Sequence, residues 1–190
     1  LNHLGKLNPV SYVSAGIIFE HDLSMEELYH LELKYPDIEF EWAGIRTDTP
    51  DKHTKDVIGI ELIKSKRGSG LLGDERISNR YPAFFILDWL VRSAGSENAD
   101  SPAVARAYEH HCVSLLEYVV DREDAVNVLE HGREKGGFYR SALKYVKEQG
   151  VKTYGVLIFA EAGDLLEMVD EESIKGVDFN QALVSKKDIN

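Results

Sequence analysis

The chain has 190 residues, of which 43% are hydrophobic and 29% charged, enough for one globular domain with a buried core. Its formal net charge of −11 argues against general nucleic-acid binding, because an acidic surface repels a polyanion. The single cysteine, Cys112, excludes an internal disulfide framework and a thiolate-rich zinc site. Residues 1–7 lack a signal-peptide pattern, and no apolar run is long enough to span a bilayer, so we expect a cytoplasmic protein without membrane attachment.

The opening of the chain, residues 10–65, has the pattern of a strand, a helix and two further strands. Residues 10–20 are mostly β-branched, aromatic or small, which is typical of a strand. Ser24 followed three residues later by Glu27 is the signature of a capping box, and it predicts a helix that Pro36 ends. Alternation of apolar and polar residues then predicts a half-buried strand at 38–42. A second strand at 57–63 is expected to pair with it in antiparallel fashion.

The centre of the chain, residues 81–150, is predicted to be helical. Prolines or capping residues precede the apolar segments and glycines follow several of them, which is typical of the starts and ends of helices. The first helix is apolar almost all round, so we expect it to be mostly buried. The predicted helices cover residues 83–94, 101–119, 121–135 and 138–149.

The C-terminal part begins with a strongly apolar strand at residues 153–160. Gly163 and Asp164 are turn residues, which predicts a strand or hairpin over 152–170, with a helix after the turn as the alternative. A polar tail follows from about residue 184. Strands at both ends with helices between them predict a single α+β domain. Its sheet should be mostly antiparallel or mixed and should pack against a central cluster of about four helices.

A basic, glycine-rich loop follows the third predicted strand. Residues 68–73 match G-x-G-x-x-G, whose backbone N–H groups can hold a phosphate. A dinucleotide-binding fold is not predicted, because the next segment is too short and polar for the crossover helix and Pro82 interrupts it. The prediction is a site for a phosphate or another anion, formed by Lys66, Arg67, Gly68, Gly70, Gly73 and Arg76.

Two other arrangements resemble catalytic or metal sites but depart from them in spacing. Asp37, Glu61 and Lys64 resemble the PD-(D/E)xK pattern of metal-dependent nucleases, yet Glu61 and Lys64 would point to opposite faces of a strand. His110 and His111 diverge by about 100° on a helix, so they cannot share one metal ion in ordinary geometry. We therefore predict no catalytic residue, no metal site and no cofactor, and an enzyme is not favoured.

The segment 161–172 carries six carboxylates and no basic residue. A dense acidic surface accelerates the capture of a basic partner by long-range attraction. The predicted partner-binding residues are Glu161, Asp164, Glu167, Asp170, Glu171 and Glu172.

These features favour an intracellular protein-binding protein that acts by contact with a basic partner. An inhibitor, an immunity or antitoxin-like protein, and an adaptor all fit this description. Two alternatives stay open: an enzyme or sensor that binds a phosphate-containing small ligand through residues 66–76, and an oligomeric structural subunit with the apolar helix 83–94 at a self-interface. None of the three involves direct contact with nucleic acid or a membrane.

Overall fold

A computed structural model of the chain describes residues 8–48, 57–63, 75–94, 101–129 and 135–183. Five strands form one sheet in the order β3-β2-β4-β1-β5, and every pairing is antiparallel, which confirms the predicted α+β class. The strands are β1 (Tyr12–Ser24), β2 (Glu39–Ile45), β3 (Ile58–Glu61), β4 (Lys152–Glu161) and β5 (Ile174–Leu183). The helices in these ranges are α1 (Met25–Lys34), α2 (Glu75–Arg80), α3 (Ile86–Ala94), α4 (Ser101–Val120), α5 (Glu123–Leu129), α6 (Gly136–Gln149) and α7 (Ala162–Met168).

Strand β1 lies between β4 and β5, and its alternation decides which face of the sheet is buried. Val13, Ala15, Ile17 and Phe19 are buried, whereas Ile18 on the opposite face is 49% exposed. Helix α1 contacts β1 and β4, and α4 contacts both α1 and β3. The core therefore lies between one face of the sheet and these two helices.

The first helix starts where the sequence predicts. Ser24 Oγ accepts a hydrogen bond from the Glu27 N–H (3.2 Å), and the Glu27 carboxylate accepts one from the Ser24 N–H (2.7 Å). These two bonds form the capping box. The bond from the Ser24 N–H, followed by one from the Ser24 hydroxyl (2.8 Å), holds the pKa of the Glu27 carboxyl below its usual value. Local contacts thereby stabilise the turn from β1 into α1, and pairing of Ser24 with Lys152 of β4 adds a contact from a distant part of the chain.

A buried polar network joins α1, α4 and the end of β3. The Tyr108 hydroxyl donates to Glu32 Oε1 (3.2 Å) and accepts from the Ile63 N–H (3.1 Å). Both Glu32 and Tyr108 are fully buried. Burial, followed by the negative charge of Glu32, raises the pKa of Tyr108, so the phenol stays protonated and can act as the donor.

Helix α3 begins at Ile86, three residues later than predicted, because α4 binds the preceding backbone. The Ala83 N–H donates to Ser114 Oγ (3.2 Å), and His111 Nδ1 donates to the Ala83 carbonyl (2.8 Å). Both polar groups of Ala83 are thus used outside a helix. His111 is buried, so the His-His-Cys sequence on α4 contributes a packed structural histidine.

The C-terminal part differs from the sequence prediction in two ways. The strand at 152–161 is present, but the segment after it forms helix α7, the predicted alternative, and not the hairpin. Ala162, Leu165 and Met168 follow a helical spacing and are all buried, and this packing outweighs the local turn preference of Gly163 and Asp164. The chain then returns as β5, which the sequence did not indicate and which pairs along β1.

Candidate functional site

Four carboxylates come together where β4 ends and α7 begins. Glu161 is the last residue of β4, and Asp164 and Glu167 follow it on α7. Asp37, from the turn between α1 and β2, lies close enough for its charge to act on Asp164. We refer to these four residues as the acidic surface. The sequence indicated three of them, while Asp37 joins only through the fold.

The pKa of Asp164 reflects the electrostatics of the acidic surface. Partial burial raises the pKa of this carboxyl above its ordinary value, and the negative charges of Glu161, Asp37 and Glu167 raise it further. Like charges thus face one another across this surface. A cation placed here would favour the ionised form of Asp164 and relieve the repulsion.

The acidic surface is open to a partner. Asp37 and Glu167 are exposed, and Glu161 and Asp164 are partly exposed. In the part of the chain that the structure describes, no Lys, Arg or His side chain lies within ion-pair distance of these carboxylates. Among the described residues, no ion pair therefore offsets the negative charge of this surface.

Glu171 belongs to the same acidic segment but is engaged within the fold. Its Oε1 accepts hydrogen bonds from Lys34 Nζ and the Tyr35 hydroxyl. The bond from Lys34, followed by that from Tyr35, holds the pKa of Glu171 below its ordinary value. Burial, followed by the bond to Glu171, raises the pKa of Tyr35 to about 12. Glu171 thus ties the turn before β5 to the end of α1, while its neighbours Asp170 and Glu172 are exposed.

Most of the predicted anion site falls outside the described residues. Lys66, Arg67, Gly68, Gly70 and Gly73 lie outside the described residues, so this site stays a prediction. Arg76, the last predicted member, is exposed on the short helix α2.

A charged groove at the other end of β4 was missed from the sequence. Its volume is about 700 Å³, and residues from β1, β4, β5 and the end of α6 line it. At its wall, Arg46 donates from Nε and Nη2 to the two carboxylate oxygens of Asp22, each at 2.9 Å. The Arg46 guanidinium also lies over the Tyr154 ring, 4.8 Å from its centre. The sequence gives no signal for this cluster, because its members come from three different strands or strand ends.

We also searched the described residues for a metal site, a reactive cysteine and a membrane-spanning helix. No three His, Cys, Asp or Glu side chains there come together in a way that could hold a metal ion. Burial raises the pKa of the Cys112 thiol to about 12, which removes its nucleophilic character near neutral pH. Across the same ranges, every helix is too short or too polar to traverse a lipid bilayer.

The chain is similar to a known protein family. A family model described as "Sigma factor regulator C-terminal" matches residues 4–181, which is almost the whole chain. No curated protein and no solved structure matches the chain significantly.

Proposed function

This chain belongs to the sigma factor regulator C-terminal family, and from that membership we propose that it acts by direct contact with a protein partner, through its acidic surface. The observation that carries the proposal is the convergence of Asp37, Glu161, Asp164 and Glu167 around an Asp164 whose pKa is raised. Charges that repel one another in the free protein gain the most from a cationic partner.

The partner that fits this chemistry is a sigma factor, as the family description suggests. A sigma factor recognises promoter DNA, and proteins that contact DNA carry basic surfaces to neutralise phosphates. An acidic surface on the regulator would bind such a basic surface and compete with DNA for it. The regulator and DNA would then compete for the same basic surface of the sigma factor.

The test is the association rate with purified sigma factors from the source genome, measured by stopped-flow fluorescence at several salt concentrations. The test variant carries Asp37→Asn, Glu161→Gln, Asp164→Asn and Glu167→Gln. We expect association to slow by roughly tenfold or more at low salt and to lose most of its salt dependence, because steering by opposite charges disappears.

The matched control removes four exposed carboxylates on the helices: Glu26→Gln, Glu109→Gln, Asp124→Asn and Glu148→Gln. Both variants change the net charge by the same amount. If the two slow association equally, the effect comes from overall charge and the acidic surface is not the contact. If no sigma factor binds the unmodified chain at all, the proposed partner is wrong.

A further inference from the structure

We propose that the groove at the start of β4 binds a small organic anion, one that carries a carboxylate or phosphate group on an apolar body. The groove encloses about 700 Å³, within the range of small-molecule sites in proteins. Its walls combine tyrosine rings and the exposed Ile18 with several charged side chains.

The charged side chains that line the groove indicate which charge its ligand should carry. Within the lining, Asp22 pairs with Arg46, and Glu20 is the other carboxylate beside Lys152 and Lys175. From outside the lining, the charge of Glu27 acts on Lys152 and that of Asp48 on Arg46. The ammonium group of neither lysine has a hydrogen-bond or ion-pair partner among the residues that the structure describes. The lining itself holds more basic than acidic side chains, the reverse of the chain as a whole, whose net charge is −11.

Arg46 is held in place before any ligand arrives. Asp22 binds one edge of its guanidinium and Tyr154 lies beneath its face, so the side chain loses little entropy on binding. The bonds to Asp22 use Nε and Nη2, and the Nη1 donors remain for an anion. The Arg46 N–H also donates to the Lys152 carbonyl (2.8 Å), which fixes the two cationic residues relative to each other.

The groove and the acidic surface are separate sites. Lys152 and Glu161 stand at opposite ends of β4, about 30 Å apart at roughly 3.3 Å per residue. A small anion is repelled by the acidic surface and attracted by the groove. The inference therefore does not depend on the protein partner, and either proposal can fail alone.

The test is a titration of ¹⁵N-labelled protein, followed by amide NMR shifts. The anionic probes are benzoate and phenyl phosphate, and the neutral probes are benzamide and phenol. We expect saturable shifts of the Ile18, Gly150 and Lys152 amides with the anions, with dissociation constants in the millimolar range for ligands of about ten heavy atoms. The ratio of the two dissociation constants tells whether the groove prefers carboxylate or phosphate.

Variants separate a specific site from weak surface binding. Lys152→Gln with Lys175→Gln should weaken anion binding at least fivefold, while Lys144→Gln with Lys147→Gln, on α6 outside the groove lining, should leave it within twofold. Equal shifts with the neutral probes, shifts that map elsewhere, or equal effects of the two double variants would overturn the proposal. Circular dichroism of each variant confirms that its fold is retained.

Discussion

The ring of Tyr154 lies directly over Gly44, so closely that a Cβ atom at residue 44 would be 2.7 Å from Tyr154 Cζ. The missing side chain of Gly44 therefore makes room for the ring on which Arg46 rests. A residue outside the groove lining thus determines the geometry of the groove.

Gly44→Ala is expected to displace Tyr154 and to destabilise the protein by about 1–3 kcal/mol, the usual cost of an overpacked site. Urea denaturation measures the loss in the free energy of unfolding. The NMR resonance of the Arg46 Nε–H should also shift, because the contact of Arg46 with the Tyr154 ring changes. Gly176→Ala is the control, because no heavy atom lies within 4 Å of the position its Cβ would take. Equal effects of the two substitutions would contradict the close contact at Gly44.

Glu171→Gln tests the tie between the turn before β5 and the end of α1. The folded pKa of Glu171 is depressed below its ordinary value of 4.5, so its stabilising effect is present above that pH and is lost as the pH falls through the folded value. We expect the variant to be less stable than the unmodified chain by about 1 kcal/mol at pH 7, because the pair is partly solvated. The difference should vanish in acid.

The same substitution should move the titration of Tyr35, which can be followed by the ¹³Cζ shift. Its raised pKa means that the neutral phenol stabilises the fold below pH 10, and that this contribution is lost as the pH rises toward about 12. Without Glu171 the pKa of Tyr35 should fall toward 10, though not all the way, since burial is the larger cause. An unchanged Tyr35 titration would contradict the hydrogen bond to Glu171.

Tyr108→Phe tests the buried network between α1, α4 and β3. It removes the donor to Glu32 and the acceptor for the Ile63 N–H, and each lost hydrogen bond costs about 0.5–1.5 kcal/mol of the free energy of unfolding. Thermal or urea unfolding gives the value. Tyr145→Phe serves as the comparison, because no described residue hydrogen-bonds to its hydroxyl. A loss no larger than that of Tyr145→Phe would show that the network contributes little.

The features that could be predicted from the sequence are those that depend on neighbours along the chain. The capping box of Ser24 and Glu27, the alternation in β2 and the antiparallel pairing of β2 with β3 all follow from local spacing. The acidic segment was also evident from its charge. The correctly predicted strands and helices account for the correct α+β fold class.

The features that could not be predicted depend on contacts between distant parts of the chain. The sequence left a hairpin and a helix open after the turn, and burial of Leu165 and Met168 in the core decides for helix α7. Strand β5 has mixed polarity and is recognisable only through its pairing with β1. The groove requires Asp22, Arg46 and Tyr154 to meet, and neither spacing nor composition indicates that they do.

The most direct test of the central claim is an NMR footprint of a sigma factor on this chain, read by cross-saturation from an unlabelled partner to the labelled protein. We expect the affected amides to cluster at Asp37 and at residues 161–167, and promoter DNA to displace the chain from the sigma factor. A stable complex whose footprint lies on another face, with the amides of the acidic surface unaffected, would contradict it.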